Sequence, residues 1–382
     1  MSARAVKTQT ISPDAEQMLQ SMDAARAGTH ALITGVSEET MQAVLSPIMS
    51  PLAWDLGHIA AYEDLWLAHR HGGMALLAPD LAGLYDAFET PRAVRGEIEA
   101  LGPREALAYM AEVRERTEEI AERDGIGDGV LFELVLRHEL QHCETMRQTM
   151  GLAGLLPAGE PTLHAAAAGE GWSTIPAGAF EMGAGPDGFA YDNERPRHTT
   201  EVGAFQIARL PVSNESWMHF SEGGGYERRE WWSDEGWAWK QDHDITNDHR
   251  LATGPAQAPA CHVSWFEADA FARAHDARLP TEKEWEKAAT WDQADGAEER
   301  SGALDAFGQV WEWTSTAFHG YPGFVAHPYR EYSEVFFGET YRVLRGGSWA
   351  TSPRIAGPTF RNWDLPIRRQ IFSGVRLARE AG

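Results

Sequence analysis

A change in sequence texture around residues 153–170 constrains the fold more than any other feature of this 382-residue chain. Residues 13–150 carry apolar positions at helical spacing, whereas the chain from 171 onward alternates short apolar stretches with glycines and turn residues. The intervening stretch is rich in Gly, Pro and Ala and has little periodicity, as a linker does. A chain of this length also exceeds a typical single core. We therefore predict a domain at 1–152, a linker at 153–170 and a second domain at 171–382.

The first domain is predicted to be a four-helix bundle. Segments with the apolar spacing and boundary residues of helices are SPDAEQMLQSMDAARAGTHALI, SPLAWDLGHIAAYEDLWLAHRHGG, PREALAYMAEVRERTEEIAER and GVLFELVLRHELQHCETMRQTMGL. The interiors of such bundles commonly hold metal sites.

The second domain is predicted to be a loop-rich α+β domain, which makes the whole chain α+β. Its clearest helical stretch is SWFEADAFARAHDARLPTEKEWEKAATW, interpreted as two helices split by RLPTEKEW. Most of the 15 tryptophans of the chain fall in this half. Indole rings are large rigid contact surfaces, so we expect either a dense aromatic core or an aromatic-lined pocket.

Composition excludes several classes of function. The formal net charge of −24 and the absence of a basic cluster argue against nucleic acid as a partner. The two cysteines, Cys143 and Cys261, cannot supply a disulfide framework. No apolar leader region or run of eighteen apolar residues occurs, so we expect a cytoplasmic protein without a membrane partner. No sequence feature indicates an obligate protein partner.

The stretch RHELQHCETM carries the most informative polar pair of the chain. His138 and His142 are one helical turn apart and therefore project from the same face of a helix. Imidazole suits zinc, iron, copper or nickel, and His58 lies among apolar residues of another predicted helix. Two alternatives stay open at this point: the pair decorates the surface, or His58 is a core histidine with satisfied hydrogen bonds.

Several stretches in the same order resemble one known family. They are SPLAWDLGHIAAYEDLW, YDAFETPRAVR, HELQHCE, GQVWEWT, YREYSEVFFGETYRVLRGGSWAT and RNWDLPIRRQIFSGVRLA. Together they resemble the ergothioneine-biosynthetic sulfoxide synthases, over about residues 20 to 380. The resemblance implies a DinB-like four-helix bundle followed by a domain of the formylglycine-generating-enzyme type, a variant of the C-type lectin fold.

The resemblance also implies a metal and a reaction. His58, His138 and His142 match the family's three iron ligands, which implies Fe(II) as cofactor and O2 as co-substrate. The expected activity is a non-heme iron-dependent oxidoreductase that forms the C–S bond between hercynine and γ-glutamylcysteine. Three neutral ligands leave the metal its full positive charge, which favours binding of a thiolate.

Substrate-binding residues follow from the same resemblance. Gln141, Asn362 and Trp363 match positions that bind hercynine, and an indole face attracts its trimethylammonium group. Arg92 and Arg95 match the arginines that hold the carboxylates of γ-glutamylcysteine, since guanidinium forks bind carboxylates in bidentate fashion.

Three further residues complete the expected site. Asp364 matches the acidic group that faces the amine of the thiol substrate. Tyr329 and Tyr332 match two active-site tyrosines, of which Tyr329 is the expected catalytic proton donor. The alignment leaves Tyr321 as an alternative to Tyr329.

Some positions depart from related enzymes. Gln309 stands where formylglycine-generating enzymes have Asn, which weakens any expectation of a bound calcium. The catalytic cysteine of those enzymes near RGGSW is absent, which argues against formylglycine generation.

Alternative functions remain open from the sequence. The closest rival is a selenoneine synthase, which joins a selenosugar to hercynine. Another is a DinB-type metal-dependent thiol S-transferase, although such proteins lack a second domain. A non-catalytic binding module is the third alternative, because lectin-like folds often only recognise ligands.

Overall fold

The computed structural model describes residues 12–158, 163, 171–246, 254–294 and 308–381. It divides the chain into two compact units, residues 1–160 and 161–382. Most of the predicted linker 153–170 lies outside the described residues.

The first unit is helical, and its helices in chain order are α1 (Pro13–Ile33), α2 (Glu38–Gln42), α3 (Leu52–Glu63), α4 (Pro103–Asp124) and α5 (Val130–Leu152). The four predicted helices are confirmed, and the short α2 was not predicted. At its end α3 continues into a wider π-helical segment, Asp64–His71. The side chain of Ser12 caps the start of α1 by accepting a hydrogen bond from the Ala15 N–H.

The apolar faces of these helices share one core. Leu56 and Ile59 of α3, Met110 of α4, and Met146 and Met150 of α5 are almost fully buried in it. Because α3 contributes nearly every residue of its length to the interior, its polar side chains are buried as well. Polar groups in such a place need partners.

A buried charge cluster, defined as Arg26, Glu63, Arg114 and Glu139, ties α1, α3, α4 and α5 together. Arg26 donates to Glu63 at 2.8 Å and to Glu139 at 2.9 Å. Arg114 donates to Glu63 at 2.8 Å through Nε and at 3.1 Å through Nη2. The hydroxyl of Thr117 gives Glu63 a further hydrogen bond at 2.8 Å. Burial by itself raises the pKa of Glu63, but the arginine charges and hydrogen bonds outweigh burial and hold it below its usual value.

The second unit combines small sheets with helices and long connections. Its strands are β1 (Trp172–Ile175), β2 (Gly178–Met182), β3 (His198–Val202), β4 (Phe205–Ala208), β5 (Trp311–Phe318), β6 (Gly338–Arg345), β7 (Asn362–Asp364), β8 (Ser373–Gly374) and β9 (Ala378–Glu380). They form sheets of order β1-β4-β9, β2-β3 and β7-β6-β5-β8. Pairing is antiparallel except between β5 and β8.

The helices of this unit are α6 (Asn214–Glu222), α7 (Asp234–Asp242), α8 (Trp265–Ala274) and α9 (Glu282–Ala294). The two helices predicted from one stretch are α8 and α9. The predicted break between them, RLPTEKEW, extends too far along the chain, because α9 already begins at Glu282. Neither α6 nor α7 was predicted.

Aromatic residues and paired arginines fill the interior of the second unit. Trp217, Trp285 and Trp313 are fully buried, which agrees with the first of the two predicted arrangements, a dense aromatic core. The Trp285 indole donates to Glu312 at 2.6 Å, and Glu312 in turn accepts two hydrogen bonds from the fully buried Arg376. Among the described residues, no helix is long and apolar enough to cross a lipid bilayer.

Candidate metal centre

Helices α3 and α5 bring together the three histidines singled out in the sequence. His58 comes from the middle of α3, and His138 and His142 come from successive turns of α5. One ring nitrogen from each lies within 4.8 Å of those of the other two. The Nε2 atoms of His58 and His138 are 3.1 Å apart. Three convergent imidazole nitrogens are a donor set that could hold a metal ion.

Burial keeps two of these imidazoles neutral, which is the state that binds a metal. The pKa of His58 lies well below its usual value because of burial and the neighbouring His142. The pKa of His138 is lowered in the same direction by burial, His142 and His58. Bringing a divalent cation to neutral nitrogens avoids any charge repulsion, so the residues present fit a metal ion.

The ring of His58 is held from both ends. Its Nδ1 lies 2.6 Å from the Tyr85 carbonyl oxygen, so an N–H there donates and leaves Nε2 with its lone pair facing the other histidines. Trp54 stacks on the ring at a centroid distance of 4.8 Å. Gly57 allows this arrangement, because a Cβ atom at that position would lie 2.2 Å from the Tyr85 ring.

The two histidines of α5 have different neighbours. The Nδ1 of His142 lies 3.3 Å from Oδ1 of Asp55, a carboxylate in the first turn of α3. The ring of His138 instead lies flat against the ring of Tyr62, with centroids 3.7 Å apart. Each of the three imidazoles therefore has a different close neighbour.

Other residues of α5 take the places that the helical spacing gives them. Gln141 is half-buried and lies three positions after His138, so it shares that face of the helix. Cys143 is buried, with its sulfur 3.3 Å from the Thr29 hydroxyl, as expected of a packing residue. Glu144 is buried and is not part of the three-histidine group.

The two arginines predicted for thiol binding differ in environment. Arg92 is exposed, in a short 3-10 turn. Arg95 is buried, and its guanidinium donates to the Thr90 and Ala87 carbonyls and to the Ser50 hydroxyl. It also lies 3.6 Å over the Trp54 ring. Burial lowers the pKa of Arg95 to about 10.

The predicted residues of the second unit form an aromatic group of their own. The Trp363 ring is 6.0 Å from that of Tyr332, which in turn is 6.2 Å from Tyr329. Phe318 covers one face of the Trp363 indole at 4.2 Å. The half-buried Asn362 precedes Trp363 on β7 and accepts the Trp363 backbone N–H through its side chain.

Asp364 and Tyr321, in the second unit, both lie beside arginine side chains. Asp364 lies 3.4 Å from the Arg368 guanidinium and accepts the Leu365 backbone N–H. Tyr321 is buried beneath Arg361, whose guanidinium is 4.2 Å from its ring centre. Burial raises the pKa of Tyr321. Tyr329 is the more exposed of the two candidates for the proton donor.

Sequence reasoning missed the groups that lie against the histidines. The signal for Asp55 was present, since it precedes His58 by three residues and is a charged side chain in an apolar helical stretch. Nothing in the sequence pointed to the Tyr85 carbonyl, which is a backbone group on a loop. The stacking of Tyr62 on His138 depends on the packing of α3 against α5, two helices that are far apart in sequence.

Comparison with known families defines the class of protein. Residues 21–146 match the DinB superfamily, and residues 159–301 and 294–381 match the sulfatase-modifying factor enzyme 1-like domain. The chain thus joins a DinB-type helical unit with a three-histidine cluster to a domain of the sulfatase-modifying-factor type.

Relatives that match over most of both chains are named hercynine oxygenases. One from Mycobacterium tuberculosis is 39% identical over 95% of this chain and 98% of its own. One from Mycolicibacterium smegmatis is 40% identical over 87% of this chain and 92% of its own. One from Mycolicibacterium thermoresistibile is 40% identical over 87% of this chain and 88% of its own. The chain belongs to the hercynine oxygenase family and is an oxidoreductase.

Proposed function

We propose that this protein is a non-heme iron(II), O2-dependent sulfoxide synthase that joins hercynine to γ-glutamylcysteine in ergothioneine biosynthesis. The observation that supports it best is the convergent three-histidine cluster in a chain that matches hercynine oxygenases over most of its length. His58, His138 and His142 would hold the iron. Ferrous iron, when bound, supplies coordination of the thiolate sulfur and a route for electrons to O2.

The proposed reaction balances without a further reductant. The thiol S–H and the imidazole C–H are lost, a C–S bond forms, and the sulfur gains one oxygen atom. The second oxygen atom leaves as water together with the two hydrogens. All four electrons that O2 accepts come from the two organic substrates.

Hercynine is a quaternary cation with a carboxylate and an imidazole. In this proposal Gln141 binds the imidazole side of the substrate, from its place on α5 one residue before His142. Asn362 and Trp363 bind the trimethylammonium group. Because Phe318 covers one face of the Trp363 indole, the cation would approach the opposite face.

The thiol substrate carries carboxylates and an amine. We assign its carboxylates to Arg92 and Arg95 and its amine to Asp364, as the family resemblance implies. The exposed Arg92 is free of the packing that surrounds Arg95, so it is the better candidate for a direct bidentate contact. Tyr332 is assigned to substrate binding beside Tyr329.

Tyr329 is the proposed proton donor during O2 reduction. If a phenol proton directs the reaction to C–S bond formation, Tyr329→Phe will divert product toward the sulfinate of γ-glutamylcysteine. The ratio of sulfinate to coupled sulfoxide is measured by mass spectrometry. Tyr341→Phe, which removes a hydroxyl elsewhere in the same unit, is the matched control and should leave the ratio unchanged. An unchanged ratio in Tyr329→Phe would refute the role.

A competition assay tests the function as a whole. Iron(II)-reconstituted protein is incubated in air with hercynine and equal amounts of γ-glutamylcysteine, cysteine and a selenosugar. The expected product is the γ-glutamylcysteinyl hercynine sulfoxide, with matching O2 consumption. A selenium adduct would instead identify a selenoneine synthase. Thiol transfer without O2 consumption would identify an S-transferase, and binding without any product would leave a recognition module.

A further inference from the structure

Asp55 is a buried carboxylate that the proposed reaction does not use. Its side chain is fully buried in the first turn of α3, on the same helix face as His58. Within the described part of the chain, neither of its oxygens has a hydrogen-bond partner. Nδ1 of His142 lies 3.3 Å from its Oδ1, and among the described residues that nitrogen also lacks a hydrogen bond. Two unsatisfied groups therefore face each other behind the proposed metal position.

Other buried carboxylates of the same helical stretch are satisfied. Asp64 is as deeply buried as Asp55, yet it accepts the Leu77 N–H at 2.8 Å and an Arg116 N–H at 2.6 Å. Glu63 accepts hydrogen bonds from Arg26, Arg114 and Thr117. Among the described buried carboxylates of this helical stretch, Asp55 is thus the one without hydrogen-bond partners, and a buried group of this kind calls for an explanation.

No nearby positive charge forms an ion pair that would explain why the Asp55 carboxylate is buried, in the part of the chain that the structure describes. Arg95 is the cation whose charge interacts with it, but no ion pair within 4.0 Å joins the two among the described residues. The Arg95 guanidinium donates instead to Thr90, Ala87 and Ser50. An unpaired carboxylate in the interior costs free energy, so the fold retains one for a reason other than stability.

We infer that Asp55 is a positioning residue for the metal centre, which accepts the Nδ1–H of His142 and thereby presents Nε2 to the metal. This inference rests on the proposed function. A carboxylate behind a metal-binding histidine fixes its tautomer and ring plane and makes the ligand nitrogen more basic. The same carboxylate adds a negative charge near a cation bound by three neutral ligands. The cost of burying Asp55 is then offset when the metal is bound.

This role predicts opposite effects on the metal-free and the metal-bound protein. Replacing Asp55 removes an uncompensated charge, so the metal-free variant should be at least as stable as the wild type. The same change should weaken metal binding about 10–100-fold. A purely structural Asp55 would give the reverse pattern, with a less stable metal-free protein and unchanged affinity.

The test uses Asp55→Asn and Asp55→Leu in the full chain. Asn keeps the shape and a neutral acceptor, whereas Leu removes both charge and acceptor at similar volume and serves if Asn does not fold. Asp64→Asn is the matched control, because it removes a buried charge whose partners are satisfied. Cobalt(II) affinity is measured by titration with visible absorption, and thermal unfolding is measured on the metal-free proteins.

We expect cobalt affinity to fall about 10-fold for Asp55→Asn and about 100-fold for Asp55→Leu, with no loss of metal-free thermal stability. Asp64→Asn should lose stability and keep its affinity. Wild-type binding with unchanged affinity in both Asp55 variants would overturn the inference and leave the proposed function intact. A wild-type protein that binds no cobalt would overturn both.

Discussion

The charge cluster and the three-histidine cluster share helices α3 and α5 but differ in how many of their polar groups have hydrogen-bond partners. Glu63 follows His58 by five residues on α3, and Glu139 directly follows His138 on α5. In the charge cluster, Arg26 donates hydrogen bonds to both glutamates, and Arg114 donates to Glu63. In contrast, Asp55 and the His142 Nδ1 lack partners in the part of the chain described. Helices α3 and α5 therefore carry one polar cluster whose groups are hydrogen-bonded and one that contains groups without partners.

This difference separates the two reasons for burying polar groups. A network in which every polar group is hydrogen-bonded has no donor or acceptor left for a ligand. Its effect is therefore confined to the fold and to the register of the helices. A buried polar group without a partner costs free energy until a ligand binds it, so such a group marks a position where a ligand supplies the missing interaction. Removal of residues in the two clusters should therefore change different measured quantities.

Breaking the charge cluster should have the largest effect on folding. Glu63→Ala leaves Arg26 and Arg114 buried without their shared acceptor, and we expect a loss of about 3–5 kcal/mol in the free energy of unfolding. Urea denaturation of the metal-free protein measures it. Glu112→Ala, an exposed residue of α4, should change stability by less than about 0.5 kcal/mol. A loss below about 1 kcal/mol for Glu63→Ala would contradict the contrast between the two clusters.

Acid should weaken the same cluster. The pKa of Glu63 in the folded protein is held below its usual 4.5, so its stabilising effect is fully present above that pH. It is lost as the pH falls through the lower folded-state pKa and the carboxylate is protonated. The stability difference between wild type and Glu63→Gln should therefore narrow below pH 4.5. A difference that stays constant between neutral and acid pH would show that the charge of Glu63 is not what stabilises the fold.

The helices could be predicted from the sequence better than the contacts between them. Apolar spacing and boundary residues identified α1, α3, α4 and α5, and the spacing of His138 and His142 placed them on one face. The short α2 and the helices α6 and α7 lack enough apolar repeats to be recognised. Helix α9 was placed late because RLPTEKEW contains a proline and was interpreted as a break throughout.

Contacts between distant residues could not be predicted from one sequence. The meeting of His58 with the α5 histidines was available only through the family resemblance, since 80 residues separate His58 from His138. The Tyr85 carbonyl and the stacked Tyr62 depend on how a loop and a helix pack. Arg95 was predicted beside Arg92 as a substrate group, whereas local packing gives the two side chains very different exposure.

A substitution behind His58 should affect both folding and metal binding. Gly57→Ala places a methyl group 2.2 Å from the buried Tyr85 ring, so Tyr85 must move and its carbonyl no longer meets His58 Nδ1 well. We expect a loss of about 1–3 kcal/mol in stability from overpacking, together with weaker cobalt binding.

The matched control for this substitution is Gly28→Ala in α1, where the added methyl meets nothing within 4 Å. Helix propensity should make that variant neutral or up to about 1 kcal/mol more stable. If Gly57→Ala destabilised the protein but bound cobalt with wild-type affinity, the Tyr85 carbonyl would have no part in orienting His58.

Arg92, in the 3-10 turn, and Arg95, directly after it, give the smallest of the predicted differences. Arg95→Ala removes hydrogen bonds to two carbonyls and a hydroxyl and the contact with Trp54, so we expect a loss of about 1–2 kcal/mol in stability. Arg92→Ala should change stability by less than about 0.5 kcal/mol, because its side chain is exposed.

Under the proposed function, Arg92→Ala should instead raise the KM for γ-glutamylcysteine and leave that for hercynine unchanged. Equal KM values for wild type and Arg92→Ala would remove Arg92 from the thiol site. An equal stability loss in the two variants would show that burial does not distinguish them.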